Sequence, residues 1–272
     1  MRALKRQLNV LRAVAVVTYK EWSAYRTHSM VSILVGPVYF IVQYFIWTAL
    51  FKGRTEINGM DLNQMITYFG ASTLIGYLTM DFADWNLQML IRTGKFLTFA
   101  LRPIHHRFFA LSQKLGHRFL GLIFEFIPCY IIFSVLFKAP LMPAHIGWTV
   151  LSVALAFLMV FYIHYILGMT AFWFTQASGI RRVFDLLSGI FSGVYIPLVF
   201  FPQWLQKALF FMPFSYMSYV PVMVFTGIFT LAGVRIDIPV IVGIQAFMVI
   251  ITILFSEILY RASMRRFNGV GA

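Results

Sequence analysis

Between Val183 and Gly227 the chain reads V-F-D-L-L-S-G-I-F-S-G-V-Y-I-P-L-V-F-F-P-Q-W-L-Q-K-A-L-F-F-M-P-F-S-Y-M-S-Y-V-P-V-M-V-F-T-G, apolar throughout yet interrupted by Pro197, Pro202, Pro213 and Pro221. Proline lacks the backbone N–H, and its ring collides with the carbonyl one turn earlier, so each one disturbs a helix. In hydrocarbon, a backbone that stops being helical must be buried in protein or line a wet cavity. The stretch therefore predicts one helix followed by a re-entrant pair of short helices dipping back into the bilayer. Such a geometry suits machinery that moves something across a membrane better than it suits an anchor.

Composition sets the solvent. The chain is 60% hydrophobic and 11% charged, where a soluble domain carries about 25% charged residues. Lipid must cover what a single core cannot. The formal charge of +13 is gathered in clusters between apolar spans, the pattern of the positive-inside rule. It points to anionic headgroups, which attract juxtamembrane Lys and Arg by roughly 1 kcal/mol each, and away from nucleic acid. The single cysteine, Cys129, lies in an apolar run; this excludes a disulfide framework and a thiolate metal site. The first 28 residues are too charged to supply the apolar core of a cleavable signal peptide.

A spanning helix needs about 20 mostly apolar residues. Six spans are expected: 30–51, 63–82, 107–137, 146–173, 183–201 and 238–260. The second is diluted by Tyr68, Gly70, Gly76 and Asp81; the third is longer than one crossing, so its first turns are expected to project into water. With the N-terminus in the cytoplasm, the outer segments hold only Lys52, Arg54, Lys138, Lys207 and Arg235 of the 22 Lys and Arg. Six spans with both termini inside follow from that bias.

Two amphipathic segments flank the spans. In residues 4–27, Leu4, Leu8, Leu11, Ala15 and Trp22 recur near helical spacing, with Lys20, Glu21 and Arg26 largely on other faces. An N-terminal helix (residues 1–28) lying in the membrane interface is expected, leaving 29–272 as the permeation domain. The segment 83–106 places Trp85, Leu87, Leu90 and Ile91 on one stripe interrupted by Gly94, as if built to dock onto a cytosolic partner while resting on the membrane.

Catalytic constellations are absent from the sequence. A phosphate-binding loop needs G-x-x-x-x-G-K-[ST]; around Gly94-Lys95, positions 89 and 96 are Met and Phe. Any ATP hydrolysis is expected in another polypeptide. The His105-His106 pair sits beside Arg102 and Arg107, which is hostile to a metal cation, and His164 lies between Tyr162 and Tyr165 as an interior hydrogen-bonding residue. Of the acids near spans, Glu257 and Asp185 each have an arginine four residues away, Arg261 and Arg181, which explains them as helix pairs. Glu125 lies deeper, seven residues from Arg118 and without an obvious local partner. It is a candidate for a transport role or for an inter-helix hydrogen bond.

The pattern R-T-G-K-F-L-T-F-A-L-R-P at 92–103 resembles a signature of ABC-2-type (type-2 ATP-binding-cassette) permeases, and in particular a bacterial exporter-like subfamily of unassigned substrate. S-G-x-x-I-P-L-x-x-F-P-x-W-L-Q-x-x-L-x-x-x-P-F across 192–214 is similar to the same family, as is the tail R-R-F-N-G-V-G at 265–271. The resemblance implies an all-α integral membrane fold of the type V exporter kind. It combines six spans, an N-terminal interfacial helix, a cytoplasmic coupling helix, and re-entrant helices (202–227) before the last span. It implies two permease subunits, identical or different, and a dimer of cytosolic ATPase subunits that bind ATP and Mg. The interfacial helix with Lys20, Glu21, Trp22 and Arg26 would touch that ATPase. So would a coupling segment with Trp85, Arg92, Gly94, Lys95, Arg102 and Pro103. Pro197, Pro202, Trp204, Pro213 and Pro221 would shape a gate at the outer mouth. The expected setting is a bacterial plasma membrane, and the expected activity is export of an amphiphilic substrate. A secondary carrier or channel without an ATPase, or an intramembrane scaffold, remains the alternative.

Overall fold

Among the described residues, three stretches are helical, long and apolar enough to cross a bilayer by length and composition: His106–Leu136, Ile146–Phe172 and Ile238–Arg265, with a shorter apolar helix at Leu34–Leu50. In the computed structural model the backbone is described for residues 2–24, 26–101, 104–174 and 178–266, and side chains for 9–21, 34–99, 101, 104–174 and 179–265. The chain opens with α1 (Arg2–Ala24) and α2 (Arg26–Leu50), then α3 (Leu62–Thr79). A capping box starts α3: Asp61 Oδ1 accepts from the Gln64 N–H at 2.8 Å, and Gln64 Oε1 accepts from the Asp61 N–H at 2.9 Å. Two short helices follow, α4 (Ala83–Arg92) and α5 (Phe96–Ala100). Next, α6 (His106–Gly121) passes through a π turn, Leu122–Phe126, into α7 (Ile127–Leu136). The π turn has a local cause. Pro128 offers no N–H to the Phe124 carbonyl, so the helix widens and Ile127 N–H bonds Leu122 O five residues back. Then come α8 (Ile146–Met169), α9 (Ser178–Phe191), α10 (Gln203–Phe210), α11 (Phe214–Met217), α12 (Tyr219–Thr226) and α13 (Ile238–Arg266).

The helix of least convincing hydropathy is the central one. α3 packs against α2, α6, α8 and α12, and Met65 through Ser72 are buried without a break. Its Tyr, Gly and Thr residues dilute the apolar signal because protein, not lipid, surrounds them. α13 shows the opposite: Phe247, Ile251, Leu254, Phe255 and Ile258 are exposed along it.

One expectation is corrected. The fifth span does not run 183–201 as one helix: α9 begins at Ser178 and ends at Phe191. Its 14 residues cover about 21 Å at 1.5 Å per residue, short of 30 Å of hydrocarbon. The chain then turns through Gly193 (φ +81°) and a 3₁₀ turn, Leu198–Phe200. The fold is all-α as expected, with one small addition. β1 (Phe229–Leu231) and β2 (Val234–Ile236) pair antiparallel, with Thr230 opposite Arg235. Ala232 (φ 50°) and Gly233 (φ 80°) supply the two positive dihedrals that a tight hairpin demands.

The prolines act at helix starts. Pro197, Pro202 and Pro213 each stand immediately before a helical turn. The Pro202 carbonyl receives the N–H groups of Leu205 (2.9 Å) and Gln206 (3.0 Å). Pro221 is different, because it lies inside α12, third from its start. It cannot donate to Met217, four residues back, and its ring would strike that carbonyl. The helix breaks accordingly at Ser218 (φ −138°), between α11 and α12. Tyr219 N–H, freed by the break, donates to Ser192 O at 2.9 Å.

That bond belongs to a three-point anchor on the turn after α9. Tyr68 Oη donates to Gly193 O at 2.7 Å and Tyr39 Oη to Val194 O at 2.6 Å, so α2, α3 and α12 all hold one turn. A Cβ on Gly193 would stand 2.6 Å from Tyr68 Oη. Gly193→Ala is expected to lower the unfolding midpoint in detergent, through about 1–2 kcal/mol of left-handed backbone strain plus loss of a buried hydrogen bond. Adding Tyr68→Phe, which removes the obstructing hydroxyl, should return the steric share and leave the backbone share. If the double variant is no more stable than Gly193→Ala alone, the clash is not the cause.

Candidate coupling surface and its buried anchors

α4 is amphipathic in a way that separates its two faces cleanly. Ala83, Asp84, Leu87 and Gln88 are buried against α8. Gly94, at φ +70°, turns the chain, and Phe96 from α5 (1% exposed) returns to the same cluster as Leu87, Phe161, Tyr165 and Met169. His106, at the start of α6, closes the cluster. Its ring stands 5.4 Å from that of Phe96, and its Nδ1 is 3.1 Å from Tyr165 Oη. The outward face carries Trp85, Met89, Arg92, Lys95 and Leu97. Trp85 is thus not on the Leu87 stripe: it is 62% exposed, on the opposite side of α4. Arg102 and Pro103 lie outside the described residues.

The start of α4 is bolted to three other helices by two aspartates that sequence reasoning passed over. Asp81 Oδ1 accepts from the N–H groups of Phe82 (2.7 Å) and Ala83 (2.9 Å), capping the approach to α4. Its other oxygen faces Lys114 Nζ of α6 at 3.2 Å. Lys114 also donates to Phe157 O at 2.9 Å and lies 4.2 Å from the centre of the Phe157 ring. Asp84, fully buried, meets His164 Nδ1 of α8 at 3.2 Å and Arg181 Nη1 of α9 at 2.9 Å. The guanidinium approaches outside hydrogen-bonding geometry, so that contact is an attraction of charges. The available signal was D-F-A-D, two acids three apart in a chain with only 9.

Lys114 and Arg118 are a correction to the expected solvated start of the third span. Both are buried, at 5% exposure. Arg118 Nη1 donates to Tyr77 O at 2.6 Å and faces Glu125 Oε2 at 3.5 Å. Glu125, inside the π turn, therefore pairs within its own helix, and through Arg118 reaches α3. Glu257 accepts from Arg261 at 2.7 Å, the expected helix pair, and additionally meets Arg107 at 2.6 Å. Arg181 pairs with Asp185 at 3.4 Å as well as with Asp84.

The remaining candidates lie apart from α4. α1 packs along α6, with Leu11, Val14, Ala15 and Thr18 turned inward and Lys20 and Glu21 exposed. The side chains of Trp22 and Arg26 lie outside the described residues. Trp204 on α10 is 70% exposed, whereas Pro197 and Pro221 are buried.

Bundled helices, among them stretches long and apolar enough to cross a bilayer, with broken, buried backbone at one end and an amphipathic helical hairpin at the other, fit a multi-pass membrane protein. The chain belongs to the ABC-2 transporters: the family described as "ABC-2 family transporter protein" matches residues 38–271. No curated protein and no solved structure gives a significant match. Members of this family are membrane subunits that work with a separate cytosolic ATPase.

Proposed function

We propose that this chain is the permease of a bacterial plasma-membrane exporter of an amphiphilic substrate, driven by a cytosolic ATPase dimer that docks on α4 and α5. The observation that carries this reading is the two-faced α4–α5 unit. Its exposed side offers Trp85, Met89, Arg92 and Lys95, and its buried side is tied to α6, α8 and α9. A surface that merely rests in water has no need of an exposed Trp beside two cations; a surface that receives a partner uses both. The ties then carry motion of the docked subunit into the spans. In this reading α2, α3, α6–α7, α8, α9 with its turn, and α13 are the six crossings, with both termini in the cytoplasm. A second permease, the same or a homologue, completes the pathway, and ATP and Mg bind only in the ATPase.

Affinity purification from native membranes in mild detergent tests the partner. An ATPase in equimolar amount is expected, and a second permease, if dissimilar, is recovered with it. Reversing Arg92 and Lys95 together to glutamate is expected to reduce ATPase recovery about tenfold or more, since like-charge contacts cost several kcal/mol, with insertion unchanged. Full recovery with the reversed pair would remove the docking assignment. Recovery of the chain alone under crosslinking would favour a carrier working without ATP.

A further inference from the structure

At the end of the molecule away from α4, a cavity of about 720 Å³ opens between three walls: the α2–α3 connection, the segment entering α10, and the β1–β2 hairpin. That volume lies within the range of small-molecule sites, about 300–1,000 Å³. Its walls are fixed. Ile57 and Met60 exchange both backbone bonds (3.0 and 3.1 Å). Gln206, 5% exposed, stitches the other two walls: its Oε1 accepts from Ala232 N–H at 2.7 Å, and its Nε2 donates to Phe201 O at 2.7 Å. Phe200 is backed by Trp47, ring centres 5.3 Å apart. The site is therefore shaped before anything binds.

Its chemistry is selective. No Asp, Glu, Lys, Arg or His lines it, although Lys52, Arg54, Asp61 and Arg235 are exposed on the adjoining loops. A charged ligand would lose hydration and meet no counter-charge. The lining instead juxtaposes Met60, Phe200 and Ile228 with the amides of Asn58 and Gln203. Neither of these amides makes a hydrogen bond among the described residues, in contrast to Gln206. We infer that this cavity binds an uncharged amphiphile, whose hydroxyl or amide groups pair with Asn58 and Gln203 and whose apolar part lies on Met60, Phe200 and Ile228. The inference rests on the permease reading only in assigning the cavity to the outer mouth, where it would hold substrate on its way out; binding itself does not depend on that reading.

The test is calorimetric titration of the full chain in lipid nanodiscs with octyl glucoside, octyl phosphate, octyltrimethylammonium and free glucose, each below its micellar concentration. Octyl glucoside is expected to bind saturably at one site, and the two charged analogues about tenfold more weakly or not at all. Ile228→Trp, which fills the cavity from an exposed position, should weaken the glucoside about tenfold or more. Gln203→Ala, which removes one hydrogen-bonding partner, should weaken it about fivefold. Unsaturable uptake that is the same in Ile228→Trp would mean partition into the bilayer and would overturn the site. Tighter binding of a charged analogue, or equal binding of free glucose, would overturn the ligand class. Nanodiscs contain no ATPase and expose both faces, so failure here leaves the docking result standing, and failure of ATPase recovery leaves this one standing.

Discussion

Asp84→Asn is expected to loosen α4 about a hundredfold while leaving the ATPase bound, and so to abolish coupled transport without dissolving the complex. Asn keeps the shape and can still accept from His164, but it takes away the anion 2.9 Å from Arg181, which then keeps only Asp185 at 3.4 Å on its own helix. Removing one partner of a buried pair costs about 3–5 kcal/mol. The Arg181 side chain is 25% exposed and can recruit water, which places the cost near 3 kcal/mol, or about two decades in a local opening equilibrium. Hydrogen exchange over 83–92 reads this directly: its amides should exchange about a hundredfold faster, with α3 unchanged. Arg181→Gln should give the same pattern, because it breaks the same contact from α9. The proposed docking face, Trp85, Met89, Arg92 and Lys95, is untouched by either variant, so ATPase recovery should hold while substrate movement per ATP falls. Unchanged exchange over 83–92 in Asp84→Asn would show that the helix is held without Asp84, by the Asp81–Lys114 tie and the packing of Ala83 and Leu87.

Which features the sequence made legible follows from where the environment is lipid and where it is protein. α13 was plain because its lipid-exposed side must be apolar over its whole length. α3 read weakly for the opposite reason: buried between helices, it can afford Tyr68, Gly70 and Thr67, which bond or pack against neighbours rather than face hydrocarbon. The prolines announced the broken segment correctly, but position alone did not separate those that precede a helix from Pro221, whose effect falls four residues upstream. The fifth span was overextended because an apolar run has no mark for the point where the backbone turns; Gly193 was that mark, and its partners Tyr39, Tyr68 and Tyr219 come from three distant segments. The hairpin escaped notice because its strands are three residues each, too short for an alternation to show. The segment 83–106 was visible as amphipathic, yet the orientation of α4 on α8 put Trp85 outside rather than in the stripe. Charges misled most. Lys114 and Arg118 look like headgroup-facing cations, and nothing in a one-dimensional pattern ties them to Asp81 and Glu125. The excess of cations over acids hid the fact that buried acids among the few present had been given specific partners.

Lys114→Met is expected to be the most destabilising single change in that network, by about 3–5 kcal/mol. It leaves the Asp81 carboxylate buried with only the Phe82 and Ala83 N–H groups for company. Asp81→Asn should cost less: its carbonyl oxygen can still cap those two amides, and Lys114 keeps the Phe157 carbonyl and ring. The double variant Asp81→Asn with Lys114→Met should recover most of the loss, because no charge is then left without a partner. A thermal-unfolding double-mutant cycle measures the difference, with a coupling term of about 2 kcal/mol expected for groups in direct contact. Additive single effects would mean that Lys114 works through Phe157 and not through Asp81. Salt supplies an independent check. Headgroup-facing cations respond to ionic strength and to anionic lipid, whereas a pair at 2% and 5% side-chain exposure is screened little. The stability lost in Lys114→Met should therefore be the same at low and high salt. If it shrinks as salt rises, Lys114 faces the membrane surface after all, and α4 is held by Asp84 without Asp81.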